Sequence, residues 1–342
     1  MAMAMSITLT STGTSSMRRA FAIQPPRISS PNLLPSSTRK HTGLRLIANA
    51  SAVSSEFRIT ELPPVAKEEF YAASVLDIEE VAPGIRCVAV EAEISRELVH
   101  REDAYRRAGQ LARVRVGERE LKVPVCSAPF SRDCNWSVVY KARGDMPSGA
   151  MKAPNSTLSV KAPLQLHVTQ QHLPDLFALS PGDELQLGPF DEASGLDLRP
   201  LLFISGFPTV LIFASGRGIA VSKAIIEANE GDNGSINLGF REEVRLYYSA
   251  PDPALIAYKG KFEEWEKRKV KTRTTVLSRG EQEWDGFVGS FTHLWDEDDI
   301  EYNPETTAAI VCVEEDARDE LKELLSGAEI PDKQVLYWNA AL

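Results

Sequence analysis

The periodicity of the apolar residues changes near residue 206, and no other feature of the sequence constrains the fold as strongly. Between residues 57 and 206, short segments alternate apolar and polar residues, and turn signals such as Pro83-Gly84, Gly117 and Pro181-Gly182 separate them. A period of two predicts strands with one buried face. We therefore expect an antiparallel barrel or sandwich with one short helix at residues 173–179. Strands are predicted at residues 74–78, 86–92, 111–116 and 164–168.

Beyond residue 206 the chain reads as strands that alternate with helices. The strands are nearly continuous apolar runs, which is typical of a parallel, doubly wound sheet covered on both faces. In such a sheet, ligands bind at the carboxyl ends of the strands. The predicted strands are residues 209–214, 244–249, 274–277, 308–313 and 334–338, and the predicted helices are residues 219–229, 254–269 and 314–325, the last with Gly327 as its end cap.

The first 50 residues have a different composition from the rest of the chain. They contain no Asp or Glu, six basic residues, eight Ser and six Thr. This composition is typical of an organelle transit peptide, and the excess of hydroxyl residues over arginines favours the chloroplast over the mitochondrion. The alternative is a disordered tail that stays attached. We therefore divide the chain into a transit peptide at 1–52, a barrel domain at 53–206 and a parallel-sheet domain at 207–342.

Charge and composition exclude several functional classes. The chain has 48 acidic and 38 basic residues, and every acidic residue lies beyond the N-terminal segment. Such a surface repels nucleic acid and anionic lipid. The longest apolar run, residues 201–214, is interrupted and too short for a transmembrane helix. The four Cys and five His show no zinc-ligand spacing, so no metal site is expected.

A glycine-containing turn follows the first strand of the parallel sheet. Its residues are Gly216, Arg217, Gly218 and Ile219. Two glycines allow a tight turn and let a pyrophosphate approach the amide groups at the start of the helix. The GxGxxG fingerprint is incomplete, because Val221 stands in place of its last glycine. The alternative is that the glycines only turn the chain.

The order of these motifs resembles the ferredoxin–NADP reductase superfamily, and within it the plastid reductase-like proteins of the kiwifruit fruit-protein type. The resemblance extends over nearly the whole chain after the N-terminal segment. The segments that carry it are Ala108-Gly109-Gln110, residues 180–185, Gly188-Pro189-Phe190 and residues 207–220, 244–248, 262–266, 276–279 and 310–312. It implies a flavin-binding antiparallel six-stranded-type β-barrel, with FAD in the first domain, followed by a domain that binds NADP(H).

The resemblance also implies roles for individual residues on the nicotinamide side. Gly216, Arg217, Gly218 and Ile219 match the turn that supports the nucleotide. Ser278 and Arg279 match a pair that binds a 2′-phosphate, for which a guanidinium group is well suited. An ordinary solvated strand end is the alternative for this pair. Cys312 matches a cysteine that assists hydride transfer, although a buried cysteine without such a role is equally consistent with the sequence.

The flavin side departs from the family pattern. The family's RxYS motif falls at residues 122–125, ahead of Ser127, where Lys122 keeps the charge and the aromatic and hydroxyl groups are lost. The family's second phosphate-binding element, Gly-x-x-Ser, falls near residues 170–173, without the glycine or the hydroxyl. Lys122 and Ser127 remain the candidate flavin-binding residues. Tyr337 or Trp338 is the candidate aromatic residue that stacks on the flavin ring.

Two functions are consistent with this sequence. One is a plastid NAD(P)H-linked flavoprotein oxidoreductase that passes electrons from NADPH through FAD to an unidentified acceptor, with an electron-carrier protein or a plastid complex as the partners to consider. The other is a pseudo-reductase, in which the same scaffold has an eroded flavin site and acts as a nucleotide-binding or assembly component of a plastid complex. Fold alone does not decide between them.

Overall fold

The computed structural model describes residues 70–95, 105–129, 138–139, 159–230, 235–280 and 283–339, and the statements below concern these residues. The segment predicted as a transit peptide, residues 1–52, lies outside them and stays a prediction. The described residues all belong to one compact unit. No helix among the described residues is both long enough and apolar enough to cross a bilayer.

The first half of the chain forms an antiparallel sheet of six longer strands and the two-residue strand β5. The sheet order is β4-β3-β7-β1-β2-β6-β5. A further antiparallel bridge joins Val125, just after β4, to Leu166 in β6, and so closes the six longer strands into a barrel. The prediction of an antiparallel barrel is confirmed. The strands are β1 (Tyr71–Ala82), β2 (Ile85–Ser95), β3 (Leu111–Val116), β4 (Arg119–Pro124), β5 (Val138–Val139), β6 (Ser159–Thr169) and β7 (Glu184–Asp191).

Alternating side chains fill the inside of this barrel. Val88 and Val90 in β2, Leu164 and Leu166 in β6 and Val114 in β3 are all buried in one cluster. Their spacing of two residues is the periodicity from which the strands were predicted. The predicted short helix is present as α1 (Pro174–Phe177), which starts with a proline at its first position.

The second half of the chain forms a parallel sheet in the order β11-β10-β9-β8-β12-β13, as predicted. The first strand, β8, lies between β9 and β12 and pairs in parallel with both. The chain therefore reverses its direction of progress across the sheet between β8 and β12, and this switch point is where open α/β sheets bind ligands. The strands are β8 (Thr209–Ser215), β9 (Glu243–Ala250), β10 (Val270–Val276), β11 (Phe287–Val288), β12 (Thr307–Cys312) and β13 (Val335–Tyr337).

The longer helices of this half are α2 (Gly218–Ile226), α3 (Phe262–Lys267), α4 (Phe291–Asp296) and α5 (Glu315–Gly327). The prediction of one helix over residues 254–269 was wrong, because Tyr258 adopts a left-handed φ of 60° and breaks it. Gly327 does not cap α5; it lies in the helix, and Ala328 is the cap. Short 3₁₀ turns occupy Glu192–Ser194, Arg199–Leu201, Ile204–Gly206, Leu238–Phe240, Pro253–Leu255, Lys259–Lys261, Pro304–Thr306 and Asp332–Gln334.

Helix α2 lies between the sheet and the barrel. Ile219 and Ile225 share one buried cluster with Ile212 of the sheet and with Cys87 and Cys126 of the barrel. The opposite face of the sheet is covered by α4 and α5 in a second cluster. The boundary predicted at residues 206/207 stays a prediction.

The side chain of Lys223 joins α2 to the barrel through a buried polar contact. It is only 3% exposed. Its Nζ donates to the carbonyl oxygen of Cys126 at 3.2 Å, to Oε1 of Gln165 at 2.6 Å and to Oε2 of Glu227 at 2.6 Å. Glu227 also accepts a hydrogen bond from Nε1 of Trp265 at 3.2 Å. A buried ammonium group is stable only when it is paired in this way.

Gly218 brings the start of α2 into direct contact with the end of β12. A Cβ atom at this position would overlap the carbonyl oxygen of Cys312. The absence of a side chain at residue 218 is therefore a packing requirement between neighbouring elements of the sheet.

We expect Gly218→Ala to lower the free energy of unfolding by about 1 to 3 kcal/mol, because the extra methyl group forces the helix away from β12. Gly260→Ala is the matched control, since nothing lies within 4 Å of a Cβ at that position. Urea unfolding, monitored by circular dichroism, measures the free energy of unfolding of both variants. Equal effects of the two substitutions would contradict the packing role of Gly218.

Candidate functional site

The carboxyl edge of the parallel sheet brings together most residues predicted for nucleotide binding. Gly216 and Arg217 follow β8, and Cys312 ends the neighbouring strand β12. Ser278 and Arg279 follow β10, which lies two strands away from β8 at the same edge. These residues therefore lie at the same edge of the sheet, although they do not all contact one another.

The glycine turn has a defined geometry. Gly216 adopts a left-handed φ of 50°, and Arg217 is the N-cap residue of α2. Ile219 is fully buried in the core, so its side chain supports the turn from below. The start of a helix carries partial positive charge and favours an anion.

Glu314 lies directly against this turn. A Cβ atom on Gly216 would overlap its carboxylate group. The same carboxylate is 3.7 Å from Nε of Arg217, in an ion pair longer than a hydrogen bond. The backbone N–H of Glu314 donates to Oγ of Ser215 at 3.3 Å, which fixes the position of its backbone. A negative side chain thus lies against the start of α2, where the partial positive charge of the helix favours an anion.

A cleft of about 470 Å³ opens beside the turn. The barrel contributes to its wall through the loop before α1, and the sheet contributes through the ends of β8, β12 and β13. The lining residues are His172, Arg217, Val313, Glu314, Glu315, Asp316, Arg318, Trp338 and Asn339.

Two arginines of this cleft have an unsatisfied donor. Among the described residues, the Nε atoms of Arg217 and Arg318 are buried and have no hydrogen-bond partner. Buried donors are rarely left without an acceptor in native proteins. Nη2 of Arg318 donates to the carbonyl oxygen of Trp338 at 3.0 Å. The two guanidinium groups bring positive charge to the cleft, which favours an anionic ligand.

Cys312 is next to the cleft but does not line it. Its side chain is fully buried, and Val313 takes the lining position. Burial raises the pKa of the thiol to about 12, so the group is neutral at pH 7. The role predicted for Cys312 in hydride transfer stays a prediction.

Ser278 and Arg279 are exposed at the end of β10. The backbone N–H of Ser278 donates to the carbonyl oxygen of Pro251 at 3.0 Å, and its Oγ donates to the same oxygen at 3.4 Å. Both side chains are accessible to a ligand that extends along the edge from the glycine turn. Their assignment to a 2′-phosphate stays a prediction.

The two residues predicted for flavin binding lie away from the cleft. Nζ of Lys122 is 3.3 Å from Oδ2 of Asp191 in an exposed ion pair on the barrel. Oγ of Ser127 accepts a hydrogen bond from the backbone N–H of Gln165 at 3.2 Å, and its carbonyl oxygen accepts one from the hydroxyl of Tyr105 at 2.6 Å. Both side chains already have protein partners.

The second flavin-phosphate position, at the start of α1, does not fit a pyrophosphate. The first residue of this four-residue helix is Pro174, which has no N–H, and the N-cap residue Leu173 makes no side-chain cap. Asp175 in the first turn forms an ion pair of 2.7 Å with Arg119. Neither this position nor Lys122 offers the unpaired donors that a dianionic group requires.

The C-terminal aromatic residues face opposite sides of the sheet. Tyr337 packs on the core beneath α4 and α5. Trp338 is 3% exposed, and its Nε1 donates to the carbonyl oxygen of Gly109 in the barrel at 2.9 Å. Trp338 therefore reaches the cleft, whereas Tyr337, named as a site residue from the sequence, lies on the other face.

Glu314, Arg318 and His172 were missed by sequence reasoning. The sequence assigned Glu314 and Arg318 only to the helix predicted at residues 314–325. Their spacing of four residues does not place them on one helix face, because Glu314 has an extended backbone and precedes the first residue of α5.

His167 and Tyr258 meet where the barrel contacts the sheet. Nδ1 of His167 lies 2.9 Å from the hydroxyl of Tyr258. Burial, followed by the positive charges of Arg217 and Lys223, lowers the pKa of His167 to about 4, so the ring is neutral at pH 7.

Within the described ranges, no group of three or more His, Cys, Asp or Glu side chains is arranged to hold a metal ion.

We expect Trp338→Phe to lower the free energy of unfolding by about 1 to 3 kcal/mol, because it leaves the buried carbonyl oxygen of Gly109 without its donor. Trp284→Phe is the matched control, since it removes a hydrogen bond of the same kind to Phe287 at an exposed position. Thermal unfolding of both variants measures and compares their losses of stability. A larger effect at Trp284 would contradict the importance of the contact with the barrel.

The comparisons with known proteins agree with this architecture. No protein-family model matches the sequence. A fruit protein of Actinidia deliciosa, pKIWI502, is 29% identical over 161 residues, which are 47% of this chain and 48% of that protein. The match thus spans about half of the length of that relative.

Solved structures show the same fold. The ferredoxin NADP⁺ reductase of Neisseria gonorrhoeae with bound FAD and NADP aligns with a TM-score of 0.53 at 16% identity, over 80% of this chain and 98% of that one. The FAD/NAD-binding domain of the nitric oxide dioxygenase of Vibrio cholerae aligns with a TM-score of 0.54 at 10% identity, over 78% and 97% of the two chains. The fold is therefore of the ferredoxin–NADP reductase type.

Proposed function

We propose that this protein is an NAD(P)H-linked flavin oxidoreductase of the ferredoxin–NADP reductase type, with its nicotinamide nucleotide in the cleft at the switch point. The observation that carries the proposal is the pair of guanidinium groups of Arg217 and Arg318 beside the glycine turn, whose buried Nε atoms make no hydrogen bond. An anionic nucleotide brings negative charge and hydrogen-bond acceptors to both guanidinium groups.

The residues of the cleft fit a dinucleotide better than a smaller anion. Arg217 and the positive end of α2 hold the pyrophosphate, and Arg318 contributes a second positive charge from α5. Ser278 and Arg279 lie further along the same edge, where they bind the 2′-phosphate of NADPH. With both cofactors bound, the nicotinamide would supply a hydride that the flavin would accept, and the residues of the cleft would orient the nucleotide.

The flavin is expected to bind weakly. The positions that correspond to the family's flavin-phosphate contacts are paired internally, as in the contact of Lys122 with Asp191, or lack an amide, as at Pro174. Each missing charge-assisted hydrogen bond costs about 1.5 to 3 kcal/mol of binding free energy. FAD is therefore an exchangeable cofactor in this proposal.

A second candidate function, the pseudo-reductase, is favoured by one specific observation. Trp338 packs tightly between the sheet and Gly109 of the barrel, so its ring is not free to stack on a flavin in this arrangement. In that case the nucleotide cleft would serve binding or assembly without catalysis. The plastid location of either function is supported by the composition of residues 1–50 alone.

An assay with added cofactors separates the two candidates. We expect the purified protein to be colourless, to bind NADPH in calorimetry and to oxidise it with ferricyanide only when FAD is added. Nucleotide binding without turnover at saturating FAD would favour the pseudo-reductase. Absence of nucleotide binding would contradict the oxidoreductase and leave only the assembly role of the pseudo-reductase.

The role of Arg279 is testable with the two nicotinamide nucleotides. We expect Arg279→Ala to weaken the binding of NADPH roughly tenfold and to leave NADH unchanged, because only NADPH carries the 2′-phosphate. Arg119→Ala, which removes an exposed arginine from the barrel, is the control and changes neither affinity. Equal losses for NADPH and NADH would show that Arg279 does not read the 2′-phosphate.

A further inference from the structure

The side chain of Glu314 has no structural role at the start of its own helix. It is the N-cap residue of α5, yet its side chain makes no capping hydrogen bond. Its carboxylate reaches back instead to Gly216 and Arg217, and it is half exposed. Because the backbone is held by the bond to Ser215, the side chain alone is free to turn away.

The carboxylate and a nucleotide phosphate require the same surroundings. Both are anions, both pair with Arg217, and both need the space that Gly216 leaves open above the turn. The other charged or titratable groups of the cleft are Glu315, Asp316, Arg318 and His172. Among the carboxylates that line it, Glu314 is the one that forms an ion pair with Arg217.

We propose that Glu314 is an internal competitor of the nucleotide, which lowers the affinity of the cleft by occupying the phosphate position until the ligand displaces it. The inference rests on the proposed function, because it requires the cleft to be the nucleotide site. A bound pyrophosphate replaces the carboxylate at Arg217, and the side chain of Glu314 rotates into solvent. Glu314 thereby sets the nucleotide concentration at which the site fills.

Removal of the charge at constant shape tests this role. We expect Glu314→Gln to tighten the binding of NADPH roughly tenfold in calorimetry, since it frees Arg217 and removes a repulsion of like charges. Adenosine has no phosphate and serves as the control ligand. It binds more weakly than NADPH, and we expect its affinity to be the same for Glu314→Gln and for the wild type. Glu314→Ala, which also empties the space above Gly216, is expected to tighten NADPH binding at least as much.

Glu315→Gln is the matched control. It removes the same charge from the same cleft, and we expect a change of about twofold at most, because solvent screens a carboxylate that does not touch the turn. Equal tightening by Glu314→Gln and Glu315→Gln would overturn the inference, since the effect would then be one of general charge.

The remaining outcomes separate this inference from the proposed function. If the wild type binds NADPH and Glu314→Gln binds it equally or more weakly, the competitor role is wrong and the nucleotide site stands. If neither the wild type nor the variants bind NADPH, the proposed function fails and the inference fails with it. Circular dichroism of each variant verifies that the fold is retained.

Discussion

The buried ammonium group of Lys223 holds the two halves of this protein together. It extends from α2 into the barrel and is satisfied there by the carbonyl oxygen of Cys126 and the side chain of Gln165, while Glu227 balances its charge. Removal of one partner would leave an uncompensated charge in the interior. The helix that carries the glycine turn is therefore held in place from its centre, and the cleft at its start has a fixed wall on each side.

The glycine turn serves packing and binding at once. Gly218 is required because α2 touches the carbonyl oxygen of Cys312, and Gly216 is required by its left-handed backbone and by the carboxylate above it. The sequence left two interpretations of this turn: a phosphate-binding site, or glycines that only turn the chain. The two interpretations are thus not exclusive. The same contact explains why Cys312 is covered, since the start of α2 lies on it.

Local periodicity was sufficient to predict the architecture. Strands β2 and β6 are buried on one face, so their apolar and polar residues alternate and predict the barrel. Strands β8 and β12 are buried on both faces, so they are continuous apolar runs and predict the parallel sheet. The break at Tyr258 escaped prediction, since a left-handed tyrosine has no local signature. Glu314 escaped for another reason. Its contact with Gly216 arises from the pairing of β8 with β12, which are about a hundred positions apart and adjoin only in the folded sheet.

Trp338 also gives the molecule an optical reporter of its own. Its indole touches the barrel at Gly109 and forms part of the wall of the cleft, so one chromophore senses both surroundings. Tryptophan combines an apolar body with one polar N–H group, and its emission responds to changes in either environment. Loosening of the barrel and filling of the cleft accordingly both alter the surroundings of this one indole, whose emission adds to that of the other four tryptophans of the chain.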